Sequence, residues 1–160
     1  MAPPGPRCRC EPSRRQALQS LAGFALAALA QRAIAKDAST AAIVQPTEPG
    51  PAAFAERAFE MRRLAIAGGD QPYGAVVVKG SRIVGLGVSA VVTAIDPTAH
   101  AEMQAIRDAA RRLGTRDLSG CELYGSSRAC AMCEAAAYWA RIDRLRFGEA
   151  ATDGGAPALR

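Results

Sequence analysis

His100 is the only histidine in this chain, and it stands two residues before Glu102 in the run Asp96-Pro97-Thr98-Ala99-His100-Ala101-Glu102. The single Cys-x-x-Cys, Cys130-Ala131-Met132-Cys133, follows about thirty residues later, a distance that a helix and a strand can fill. One imidazole and two thiolates make a suitable soft donor set for a zinc ion that keeps a fourth position open for water. Cysteines three apart at the start of a helix lie on one side of it, and the positive end of the helix dipole favours their thiolate forms. Taken singly, a lone histidine is more often structural, and a Cys-x-x-Cys also suits a redox pair. Together and in this order they point to zinc held by His100, Cys130 and Cys133.

Asp96-Pro97 has the form of an N-cap followed by proline at the first helical position, which puts His100 and Glu102 at the start of the next helix. That helix is expected to reach about Leu113, with Met103, Ile106, Ala110 and Leu113 on its buried side. Arg107, Asp108, Arg111 and Arg112 then form a solvated side. Upstream, Phe54, Ala58, Met61 and Ala65 recur at helical spacing and stop at Gly68-Gly69. Two β-rich runs, Gly74 to Lys79 and Arg82 to Val88, are joined by Gly80-Ser81, a dipeptide suited to a tight hairpin. A third strand is expected over Cys121 to Tyr124, a helix from Cys130 to about Ala140, and a fourth strand over Arg144 to Phe147. Strand, helix, strand implies a parallel crossover on a sheet covered by helices. Cys121, at the head of its strand, is expected to be a buried free thiol rather than a further ligand.

The motifs Asp96 to Glu102, Pro72-Tyr73-Gly74-Ala75 before a strand, Cys130 to Cys133, and Tyr138-Trp139-Ala140-Arg141 occur in the order found in the zinc-dependent cytidine deaminase-like superfamily, whose signature is His-x-Glu with a later Pro-Cys-x-x-Cys. Over roughly Phe54 to Asp153 the chain most resembles the bacterial guanine deaminases of that superfamily. The resemblance implies a three-layer α/β/α fold with a mixed sheet, an antiparallel hairpin followed by parallel crossovers. It implies that His100 and Glu102, two residues apart, serve one site across the start of their helix. It makes Glu102 the general acid and base beside a zinc that supplies hydroxide at neutral pH. Gly74, Ala75, Ser89 and Trp139 fall at positions for substrate contact, Trp139 being equally readable as a core residue. A homodimer is a further implication.

Net charge bears on the substrate. The 160 residues carry a formal +5, but five arginines and one acid lie before Lys36, leaving fifteen basic and fourteen acidic residues from there on. A near-neutral domain lacks the electrostatic footprint of a nucleic-acid binder. The excess sits in residues 1–35, where Ser13-Arg14-Arg15-Gln16-Ala17-Leu18 resembles a twin-arginine export motif. An apolar stretch from Leu18 to Ala30 and the Ala33-Ile34-Ala35 pattern follow. A signal peptide over 1–35, a linker over 36–51, a deaminase domain over 52–160 and a periplasmic location are the expectations. The apolar run, broken by Arg32, is too short for a stable membrane anchor.

The expected activity is hydrolysis of a C–N bond of a cyclic amidine in a small-molecule nucleobase or nucleoside-like amine, guanine to xanthine and ammonia leading. Two departures stand beside it: Arg128-Ala129 where guanine deaminases carry Glu-Pro, and Ser89-Ala90 where they carry a base-binding asparagine. A tRNA adenosine deaminase and a zinc-binding domain without turnover remain as alternatives.

Overall fold

The computed structural model describes residues 42–159, so the expected signal peptide lies outside the described residues, as does the linker up to Ala41. The elements run α1 (Pro51–Ala67), β1 (Gly74–Lys79), β2 (Arg82–Val88), α2 (Ala101–Leu113), β3 (Cys121–Gly125), α3 (Ala131–Trp139), β4 (Arg144–Phe147) and β5 (Thr152–Gly155). They form one five-stranded sheet in the order β2-β1-β3-β4-β5. β1 is antiparallel to both β2 and β3, β3 is parallel to β4, and β4 is antiparallel to β5. Since β2 and β3 both oppose β1, they run parallel to each other. The α2 crossover therefore skips one strand and the α3 crossover joins neighbours, giving the expected mixed α/β sheet.

β1 is buried along nearly its whole length because both of its faces are covered. Ala75 and Val77 face α2 and α3 in a cluster with Ala101, Ala105, Ala109, Leu123 and Ala137. Val76 and Val78 face α1 in a second cluster with Phe54, Met61, Ile83 and Tyr124. This alternation follows from the two-residue period of a strand. The expected α1 stripe of Phe54, Ala58, Met61 and Ala65 is buried as a unit.

α2 departs from expectation in two ways. It starts at Ala101, with His100 as N-cap in extended backbone at φ −62 and ψ 152. Asp96 instead closes a local turn, its Oδ1 accepting from the Thr98 N–H and hydroxyl, so Asp96-Pro97 caps no helix. The buried face is also rotated: Ala101, Glu102, Ala105, Ile106, Asp108 and Ala109 are buried, whereas Leu113 is exposed and Met103 half-buried. The cause lies in β2, where α2 sits almost on the backbone. A Cβ at Gly87 would stand 1.9 Å from the Ala101 carbonyl oxygen and 2.6 Å from the Ala105 nitrogen. Only small side chains on the facing side of α2 permit that approach. Asp108, expected in solvent, is buried because its Oδ2 accepts from the Leu86 N–H on edge strand β2 and from Arg112 Nε.

The segment before α1 is likewise not a free linker. The Gln45 amide accepts from the Ile83 N–H at 2.8 Å and donates to the Ile83 carbonyl at 2.9 Å, pairing with the β2 edge as a strand would. β5 was not expected, since Thr152-Asp153-Gly154-Gly155 lacks the β-branched and aromatic residues that mark strands.

Candidate metal centre

Two helix N-termini carry the donors. Val88 ends β2, and a loop brings the chain to His100 at the N-cap of α2; Gly125 ends β3, and a shorter loop brings it to Cys130 at the N-cap of α3. Cys133 is the third residue of α3. Because His100 precedes the helix, its side chain leaves from extended backbone while Glu102 leaves from the first turn. Two residues that could not share a helix face thus meet in one place.

His100 Nδ1, Cys130 Sγ and Cys133 Sγ stand 3.6 Å from one another on all three sides. Tetrahedral donors at Zn–S of about 2.3 Å and Zn–N of about 2.0–2.1 Å would be about 3.6–3.8 Å apart, so the triangle fits zinc without movement. Among the described residues, these three form the group of His, Cys and acidic side chains able to hold a metal ion. Cys121 is fully buried at the start of β3 and outside this group, its thiol pushed up chiefly by burial.

The centre has a wet side and a dry side. Cys130 is exposed, while Cys133 is fully buried and Glu102 only 6% exposed. Glu102 Oε2 lies 3.6 Å from Cys133 Sγ. Burial raises the Glu102 carboxyl above the usual carboxylate range, against the lowering effect of its own backbone N–H, Cys133 and His100. Burial also pushes the Cys133 thiol up, and neighbouring Glu102 and Cys130 push it the same way. Metal loading must therefore displace the Cys133 proton, which makes zinc affinity rise with pH.

The remaining sequence-derived positions are scattered. Gly74 donates its N–H to Ser126 Oγ at 3.1 Å and is the point where β1 touches α1, since a Cβ there would stand 2.2 Å from the Ala58 oxygen and the Arg62 nitrogen. Ala75 is fully buried against Ala101 and Ala105 beneath the α2 start. Ser89 is buried, and its hydroxyl donates to Asp70 Oδ1 at 2.8 Å. Trp139 is 72% exposed, its ring edge-on to Tyr138, so it is no core residue. It ends α3, about 13 Å along the axis from Cys130 at 1.5 Å per residue. Arg128 lies over the Phe147 ring, 5.6 Å from its centroid, just before Cys130.

Two further acids, one buried and one half-buried, carry no sequence signal that marks them. Glu134 follows Cys133 directly and is buried in the first turn of α3. Asp70 lies thirty residues upstream of His100 and organises the loop that leads to it. The only local signal for Asp70 was an aspartate after Gly68-Gly69, a common turn former.

Among curated proteins, the chain is 44% identical over 93 residues to the tRNA-specific adenosine deaminase of Aquifex aeolicus, covering 58% of this chain and 57% of that protein. It is 46% identical over 82 residues to the guanine deaminase of Bacillus subtilis, covering 51% of this chain and 53% of that protein. The chain thus spans about half the length of these curated relatives. The X-ray structure of guanine deaminase from Bacillus subtilis superposes with a TM-score of 0.58 at 39% identity, covering 65% of this chain and 69% of the other. Residues 51–149, from the first residue of α1 to just past β4, match the family described as the cytidine and deoxycytidylate deaminase zinc-binding region, and this chain is a member of that zinc-type deaminase family.

Proposed function

We propose that the chain is a hydrolytic deaminase of a free nucleobase or nucleoside-like amine, with guanine, converted to xanthine and ammonia, as its leading substrate. The observation that carries the reading is the buried carboxylate of Glu102 set 3.6 Å from a metal-ligand sulfur, beside a triangle of donors sized for zinc. A purely structural zinc has no use for such an acid and is commonly closed by a fourth protein ligand.

Bound by His100, Cys130 and Cys133, zinc supplies Lewis acidity that lowers the pKa of a water. Glu102 takes one proton from the attacking water and hands it to a ring nitrogen as the new C–O bond forms. It then takes the remaining hydroxyl proton and hands it to the amino group as the C–N bond breaks, so that the carbonyl forms and ammonia leaves. Burial suits the residue to the first half of this work, because a carboxylate whose charge is poorly solvated takes up a proton more readily than an exposed one. The dry side of the centre holds the shuttle, and the wet side at Cys130 admits substrate.

Guanine as substrate is supported by the likeness to the Bacillus subtilis guanine deaminase in sequence and in fold, a likeness that tRNA adenosine deaminases share to a similar degree. The tRNA-specific adenosine deaminase of Aquifex aeolicus, at similar identity, supports a second reading, a tRNA adenosine substrate. Ammonia release by zinc-loaded protein decides between them when guanine, adenine, cytosine, their nucleosides and a tRNA anticodon stem-loop are offered separately, with Glu102→Ala as control. Guanine turnover that the control abolishes is the expected result; turnover of the stem-loop alone would replace guanine with the second reading. Silence on all of them with zinc bound would leave a binding domain.

The proposal extends to place. Arg14-Arg15 and the apolar stretch behind them direct export to the periplasm by a twin-arginine route. Export that persists after Arg14→Lys with Arg15→Lys would remove this part of the account.

A further inference from the structure

The loop between β2 and α2 ends at a metal ligand, yet its middle is strained and exposed chain. Ile95 sits at φ 51, a region that β-branched residues avoid, and its side chain is 90% exposed. Val92 is exposed as well. Such a loop has little burial of its own to hold it, and His100 needs a fixed approach.

What holds it is Asp70, which belongs to the turn after α1. Asp70 Oδ2 accepts from the Val92 N–H at 3.0 Å, the Thr93 N–H at 2.8 Å and the Thr93 hydroxyl at 2.9 Å. Its Oδ1 accepts from the Ser89 hydroxyl and the Gln71 N–H, both at 2.8 Å. Five donors on one carboxylate draw both the start and the tip of the loop onto the α1–β1 turn. The Ser89 N–H adds a bond to the Tyr73 carbonyl across the same junction.

The order imposed at Asp70 passes along the loop by backbone bonds. Ala94 N–H donates to Ala90 O, Ile95 N–H to Val92 O and Asp96 N–H to Val91 O, closing the turn. Ala90 N–H then donates to Ala99 O at 3.0 Å, tying the start of the loop to the residue immediately before His100. The carboxyl of Asp70 is held well below the usual range, these hydrogen bonds outweighing the opposing cost of desolvation, which marks it as an ionised acceptor throughout neutral pH.

We infer that Asp70 is a positioning residue for the metal centre, clamping loop 89–99 so that His100 meets Cys130 and Cys133, and that the Ser89 hydroxyl serves this clamp rather than the substrate. The idea rests on the zinc centre and not on the identity of the substrate. It places a requirement of the site in a turn that contributes no ligand.

The test compares wild type with Asp70→Ala and with Asp70→Asn, which keeps the size of the side chain but can present a donor where Oδ2 met three donors. Zinc Kd is read by chelator competition well below each variant's melting temperature, and the cobalt-loaded proteins are compared by visible absorption. Weakening of zinc binding by about tenfold or more, the range seen when partners that orient ligands are removed, together with altered cobalt bands in either folded variant, is the expected result. A lowered melting temperature with unchanged zinc Kd and unchanged cobalt spectrum would show a structural role only and overturn the inference. Neither readout depends on turnover, so a failed deaminase assignment would leave this result standing. Ser89→Ala completes the set: the clamp predicts a weakening of zinc binding in the same direction as Asp70→Ala and smaller, whereas an unchanged zinc Kd and cobalt spectrum would remove the Ser89 hydroxyl from the clamp.

Discussion

The two faces of the sheet are covered by helices in opposite ways. On the α1 face, bulk fills the space: Phe54 packs edge-on to Tyr124 with ring centroids 5.4 Å apart, and Met61, Val76, Val78 and Ile83 complete the cluster. On the α2 face, nearness replaces bulk, with Ala101, Ala105 and Ala109 lying on the backbone of Gly85 and Gly87. Large side chains can shift rotamers to absorb a change, whereas backbone against backbone cannot. The face that must place donors to within a few tenths of an ångström is the one built from contacts that cannot adjust.

That contrast can be broken experimentally. Gly87→Ala puts a methyl into the Ala101 carbonyl, and since backbone must move, its cost should exceed the about 1–3 kcal/mol usual for overpacking. Zinc affinity should fall with stability, because the displaced residue follows His100 directly; denaturant unfolding and chelator competition read the two effects. Met61→Ala on the opposite face should cost about 2–4 kcal/mol through the cavity it leaves, with the zinc Kd of the folded protein unchanged. Equal effects on zinc binding from both faces would dissolve the distinction.

A smaller effect concerns acid. The folded-state pKa of Asp70 lies below its unfolded value of about 3.9, so the group stabilises the fold above that value and loses its contribution as pH falls toward the folded one. Melting temperatures of wild type should therefore decline more steeply below about pH 4 than those of Asp70→Asn, which has no proton to gain. Parallel acid limbs would remove Asp70 from the loop's stability.

The same contrast explains what the sequence disclosed. His100, Cys130 and Cys133 were legible because ligand chemistry is carried by rare residue types at short spacings. The stripe of α1 was legible because Phe54 and Met61 mark a buried face by size. α2 misled because its contact face is alanine, which carries little hydrophobic signal, while Met103 and Leu113 drew the expected stripe to the wrong side. The start of α2 misled because Asp96-Pro97 satisfies local capping rules, yet Asp96 spends its carboxylate on Thr98. Asp70 was invisible for a different reason: its partners at Ser89, Val92 and Thr93 are some twenty residues away, and no local pattern announces them.

The central claim is a zinc ion held by three protein donors with one position left for water. X-ray absorption at the zinc edge of the loaded protein tests it directly. The account predicts two sulfur scatterers at about 2.3 Å and two nitrogen or oxygen scatterers at about 2.0–2.1 Å, one of the sulfurs being lost in Cys133→Ser. A shell of three or four sulfurs, or one of oxygen alone, would contradict it.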